Sequence, residues 1–153
     1  MLDKLEISSF ISPSLVLDLA PLDKSVLLEK MADLIGEDTK VKDPVAMKKA
    51  IFLREKTMTT GIGEGIAIPH ARTADVEDFV IAFARIKQGM DFEALDNKPV
   101  YLVFMIVANV NQDKKYIKLL SRLVLRLKSS SLIEQLMAAE DTDGLYRVLV
   151  DTK

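Results

Sequence analysis

One histidine occurs in this chain of 153 residues. It is His70, near the end of the run Thr59-Thr60-Gly61-Ile62-Gly63-Glu64-Gly65-Ile66-Ala67-Ile68-Pro69-His70-Ala71-Arg72. Neutral imidazole is the side chain best suited to act as a nucleophile near neutral pH. The residues before it favour a defined delivery: glycines let the backbone approach a ligand or adopt positive φ. Pro69 fixes its own φ and biases Ile68 to extended geometry. Arg54 precedes the run and Arg72 closes it. A guanidinium is a permanently charged fork that matches phosphate or carboxylate oxygens. Glu64, six positions before His70, offers a carboxylate that can accept from a ring N–H and hold one tautomer. Thr59 and Thr60 are turn formers first and hydroxyl donors second. A plainer reading stays open for each residue: a strand-end histidine bonded to a neighbour, a helix-end cation at Arg54, a solvated Glu64 and an exposed loop cation at Arg72.

The wider pattern narrows the choice. Arg54-Glu55-Lys56 followed by Gly61-Ile62-Gly63-Glu64-Gly65-Ile66-Ala67-Ile68-Pro69-His70 resembles the active-site signature of the fructose/mannitol-type enzyme IIA domains of the bacterial phosphotransferase system (PTS). The likeness continues through Phe92-Glu93-Ala94-Leu95-Asp96-Asn97-Lys98-Pro99-Val100 and Asp141-Thr142-Asp143-Gly144-Leu145-Tyr146, and so runs along essentially the whole chain. Within that family the nitrogen-regulatory type resembles it most. The resemblance implies that His70 accepts a phosphoryl group from an HPr-type phosphocarrier, with Arg54 binding its oxygens. It implies either a stand-alone signalling protein with a regulatory target, or the IIA subunit of a split fructose/mannitol-type permease that hands phosphate to IIB. An in-line transfer between ring nitrogens needs positioning and charge stabilisation, so no metal and no cofactor is expected. Many members carry a second histidine at the start of a later helix; here Tyr116 holds that place. Ala71 stands where glycine is usual. A phenol donates to a phosphoryl oxygen but is no imidazole, which leaves a non-phosphorylatable interaction module as a further reading. Without the resemblance the glycine pattern is weak, since it matches neither a Walker loop nor a dinucleotide fingerprint. No serine or cysteine nucleophile motif supports a hydrolase.

Composition bounds the setting. The chain has no cysteine, so disulfides and thiolate metal sites are excluded, and one histidine excludes a histidine-rich metal site. A net charge of −2 gives no reason to invoke nucleic acid or a membrane surface. The longest apolar run, Val100 to Ala108, is too short to span a bilayer. No signal-peptide pattern opens the chain, so cytoplasmic residence and no direct membrane insertion are expected. The length suits a single domain, 1–153, with no fused IIB or IIC segments expected.

The elements that must position these residues follow from periodicity. Ile7 to Leu19 reads as an edge strand plus loop. Asp23 is placed to cap a helix over Lys24 to Ile35 that Gly36 ends. Leu27, Met31, Leu34 and Ile35 share its inner face. Asp43-Pro44 starts a second helix, to about Glu55, with Arg54 in its last turn. Strands are expected at Ile66–Ile68, Phe79–Arg85 and Val100–Ala108, the last buried on both faces. A long helix from about Asp113 carries Ile117, Leu120, Val124 and Leu127 as a stripe, and two more helices cover Leu132–Ala139 and Asp143–Val150. Helices before, between and after buried strands predict an α/β fold, a three-layer α/β/α sandwich with a mixed β-sheet.

Overall fold

The computed structural model describes residues 7–129 and 131–151. Two short 3₁₀ turns, Ile7–Ser9 and Pro13–Leu15, lead into β1 (Val16–Leu19). Then come α1 (Lys24–Gly36), α2 (Pro44–Thr57), β2 (Gly61–Gly63), β3 (Ile66–Ala67), β4 (His70–Thr73), β5 (Val80–Met90), β6 (Val100–Asn109), α3 (Asp113–Ser129), α4 (Leu132–Ala138) and α5 (Thr142–Val150).

The sheet is mixed, in the order β1-β5-β6-β3-β2, with β4 also paired to β6. β5 and β6 run antiparallel, from Val80 opposite Val107 to Arg85 opposite Leu102. β1 joins β5 in parallel, while β3 and β4 each run parallel to β6. Both central strands are buried along nearly their whole length, as strands covered on two faces must be. One cover is α1 and α2, which pack together against β4 and β5. The other is α4 and α5, which reach β5 and β1, with α3 packed on α4. The layering is the one the sequence predicts.

Local signals act largely as read, with instructive exceptions. The Asp43 carboxylate accepts from the Ala46 N–H at 3.1 Å, and Pro44 occupies the first turn of α2. Asp23 sits at the N-cap position of α1 in extended geometry, but its side chain makes no cap bond. α1 absorbs Gly36 instead of stopping before it, because the missing Cβ makes room for Pro44; a Cβ there would lie 3.0 Å from the proline ring. Along α3 the buried positions are Tyr116, Leu119, Leu123 and Leu127, whereas Ile117 is 64% exposed. The expected stripe was therefore rotated by one position at its start. Leu120 and Val124 remain half-buried on its flank. β2 and β4 were not expected as strands: β4 adds to the edge of β6 just after Pro69, and β2 folds back antiparallel onto β3.

Candidate functional site

His70 is the first residue of β4, paired opposite Ile106. The Ile106 N–H donates to the Pro69 carbonyl at 2.9 Å, which fixes the chain just before the ring. One step earlier the Ile68 N–H donates to the Thr60 carbonyl at 3.0 Å. The Ile68 carbonyl lies 2.7 Å from Nδ1 of His70. A carbonyl only accepts, so Nδ1 carries the hydrogen and Nε2 keeps its lone pair.

That ring lines a cleft of about 480 Å³ with Ala50, Arg54, Arg72, Val110, Asp113 and Tyr116. Three elements therefore meet there: the end of α2, the start of β4 and the start of α3. Arg54 donates through one guanidinium nitrogen to the Met58 carbonyl at 2.9 Å, a bond that anchors its fork at the C-terminal end of α2. Tyr116, in the first turn of α3, is buried, and its ring centroid is 5.8 Å from that of His70 at 55°. The Arg72 guanidinium lies 5.4 Å over the same ring and pairs with Asp113.

The electrostatics suit a nucleophilic imidazole. Burial holds the His70 imidazole below its ordinary value, and the charges of Arg54 and Arg72 act in the same direction against the Ile68 hydrogen bond and Glu55. It is thus neutral at pH 7. The Tyr116 phenol is pushed up to about 12, mainly by burial. It stays protonated, a hydroxyl available as a donor.

Glu64 lies elsewhere. It occupies the turn between β2 and β3 with φ 59°, between Gly63 and Gly65, which also have positive φ. Its neighbours are Ile62, Val124, Leu127 and Lys128, which line a separate small cleft. The tautomer role expected of Glu64 belongs to the Ile68 carbonyl, since Nδ1 makes only one such bond.

A residue the sequence reading passed over holds the loop before the histidine. Glu55 is buried, and its carboxylate accepts from the Thr60 N–H at 2.8 Å and the Thr60 hydroxyl at 2.7 Å. Lys24 of α1 closes the group, 3.0 Å from Glu55. A glutamate directly after Arg54, inside the motif block Arg54-Glu55-Lys56, was the available signal. Among the described residues no group of three or more His, Cys, Asp or Glu side chains is placed to hold a metal ion, and no helix is long and apolar enough to cross a membrane.

This arrangement can be set beside known proteins. The family described as "Phosphoenolpyruvate-dependent sugar phosphotransferase system, EIIA 2" matches residues 10–151. The chain belongs to this family. The PTS fructose-specific EIIA component of Haloferax volcanii is 35% identical to this EIIA chain over 151 residues, 98% of each. The fructose-specific EIIABC component of Bacillus subtilis is 40% identical over 133 residues, 87% of this chain but only 21% of that protein's length. The crystal structure of the nitrogen regulatory protein IIA-Ntr from Neisseria meningitidis superposes with a TM-score of 0.84 at 30% identity, covering 94% of this chain and 98% of that one.

Proposed function

We propose that this EIIA domain is a phosphohistidine carrier. Nε2 of His70 attacks the phosphorus of a phosphohistidine on an HPr-type phosphocarrier. The donor's P–N bond breaks, and its ring nitrogen keeps the electron pair. Nδ1 of His70 retains its proton, and the Ile68 carbonyl faces the positive charge that the ring gains. Arg54 meets the phosphoryl oxygens, and Tyr116 supplies a neutral donor beside them. The observation that carries this reading is the 2.7 Å bond from Nδ1 to Ile68, which leaves Nε2 as the reactive atom inside a cleft that holds two arginines.

In this reading the chain works in the cytoplasm as a nitrogen-regulatory type of IIA protein, binding a regulatory target according to its phosphorylation state. About two negative charges added at His70 change a docking face through charge and desolvation. The fructose-specific relatives favour a second reading, a permease subunit that passes phosphate to IIB.

The test is incubation with phosphorylated HPr-type donor, followed by intact-mass spectrometry. One acid-labile phosphoryl group should appear, and none in His70→Ala. Label that persists in the mutant, or no label in the wild type with several donors, removes the carrier reading. A pull-down then separates the two roles: different partners for phosphorylated and His70→Ala protein support the regulator. Rapid transfer to a sugar-specific IIB alone supports the permease subunit.

A further inference from the structure

Side chains two apart on a strand point to the same face. His70 and Arg72 are such a pair on β4, and both line the cleft. The Tyr116 ring forms a common floor, 5.8 Å from the imidazole and 5.4 Å from the guanidinium carbon. The two cleft arginines are held differently. Arg54 is bonded to a main-chain carbonyl, which does not move away. Arg72 is held by the carboxylate of Asp113, the first residue of α3, in a pair whose side chains are 45% and 61% exposed. Ion pairs that open to water are worth at most about fivefold in an equilibrium constant. A phosphoryl group brings about two negative charges and three strong acceptor oxygens, and an arginine binds such oxygens with a pair of charge-assisted bonds. Placed on the neighbouring side chain of the same strand face, it outcompetes a single exposed carboxylate.

We propose that Arg72 is a second phosphoryl-binding residue, held in reserve by Asp113: when His70 is phosphorylated, Arg72 exchanges the Asp113 carboxylate for phosphoryl oxygens. The exchange leaves Asp113 without its cation at the start of α3, on the rim of the cleft. The phosphorylated and free forms then differ at two surface points, the phosphoryl group and the uncovered carboxylate. This inference rests on the phosphohistidine reading of His70. The charge of Arg72 already acts on the imidazole in the free protein, alongside that of Arg54, so the guanidinium is within electrostatic range of the reacting ring.

The test compares wild type, Arg72→Gln, Arg72→Lys, Asp113→Asn and the Arg72→Gln/Asp113→Asn double variant. Each is phosphorylated from an HPr-type donor in single-turnover conditions, with the lifetime of the resulting phosphohistidine measured afterwards. Arg72→Gln should slow transfer about tenfold or more and shorten the lifetime, and Arg72→Lys should restore part of each. Asp113→Asn should speed transfer about twofold to fivefold, and the gain should vanish in the double variant. Wild-type transfer with Arg72→Gln unchanged in rate and lifetime overturns the assignment of Arg72 alone. So does an Asp113→Asn effect that persists without Arg72. A wild type that takes no phosphoryl group from any donor removes the carrier reading and this inference with it.

Discussion

His70 sits where two opposing influences on its charge are unequal. Burial and two arginines favour the neutral ring, and the Ile68 carbonyl and the charge of Glu55 oppose them. Its titration midpoint therefore lies below the ordinary 6.5, and phosphoryl acceptance should hold its neutral-pH rate through 6.5 before falling. The unfolded chain takes a proton at the ordinary value while the native ring still resists. Native stability therefore drops as pH falls through 6.5 and levels off below the native midpoint. Because the chain has one histidine, a proton NMR titration reads this value without assignment, and a midpoint above 6.5 would contradict the burial argument. Arg54→Ala should slow transfer about 10²-fold by removing one charge from the transferring group. Its bonds are to exposed groups, so the melting temperature should change little; a large fall with an unchanged rate returns Arg54 to a helix-end role. His70 was legible at this scale because a lone imidazole after proline is conspicuous. The partner of its Nδ1 was not, because a main-chain carbonyl is supplied by every residue and leaves no mark in side-chain types.

Elements bring the residues together, and their contributions separate by experiment. α3 presents Tyr116 in its first turn, where the hydroxyl stays protonated throughout the physiological range. Tyr116→Phe should slow transfer about fivefold, the worth of about one hydrogen bond of roughly 1 kcal/mol. Tyr116→His should keep the rate or raise it, and transfer kinetics on the three proteins decide this. The segment before the histidine depends on α2 through Glu55. Glu55→Ala leaves the Thr60 amide and hydroxyl and the Lys24 ammonium without their shared acceptor, and buried groups so orphaned cost about 2–4 kcal/mol. For a domain of this size the melting temperature should fall by about 5–15 °C, measurable by calorimetry. An unchanged melting point would show that the group contributes nothing to the loop. The start of α2 followed from the Asp43-Pro44 signal and the start of α3 near Asp113 from periodicity. The face of α3 was misjudged at Ile117 because apolar residues are plentiful along that helix. Its true inner stripe is set by Tyr116, which counts as polar in a simple pattern yet is buried here.

For the molecule as a whole, the three layers were readable because β6 is apolar at successive positions and helical periodicity recurs before and after it. What escaped was the tie that closes the layers. Arg85, buried at 1% exposure in the middle of β5, reads in sequence as a strand-end charge. Its fork grips Asp18 of β1 at 3.0 and 2.7 Å, while another guanidinium nitrogen donates to the carbonyls of Leu136 and Ala139 at 2.8 and 2.6 Å. One side chain thus joins two strands and satisfies the carbonyl end of α4. Arg85→Met should cost about 3–5 kcal/mol by leaving Asp18 and those carbonyls unpaired, seen as an earlier midpoint in urea. A midpoint equal to wild type would show that the tie is dispensable.

The order of strands also governs how one copy meets another. An unpaired strand border is a template on which further chains can add, and long apolar borders seed aggregates. Here the 11-residue β5 and 10-residue β6, the stretches best able to nucleate such growth, lie inside the sheet. The borders are β1 and β4 with four residues each and β2 with three, the last broken by a register shift. α2 packs against β4 as well. Among the described residues the sheet therefore offers no border run long enough for a stranger to extend; if the proposed carrier role holds, meetings with donor and acceptor take place without an exposed seam that would make them permanent.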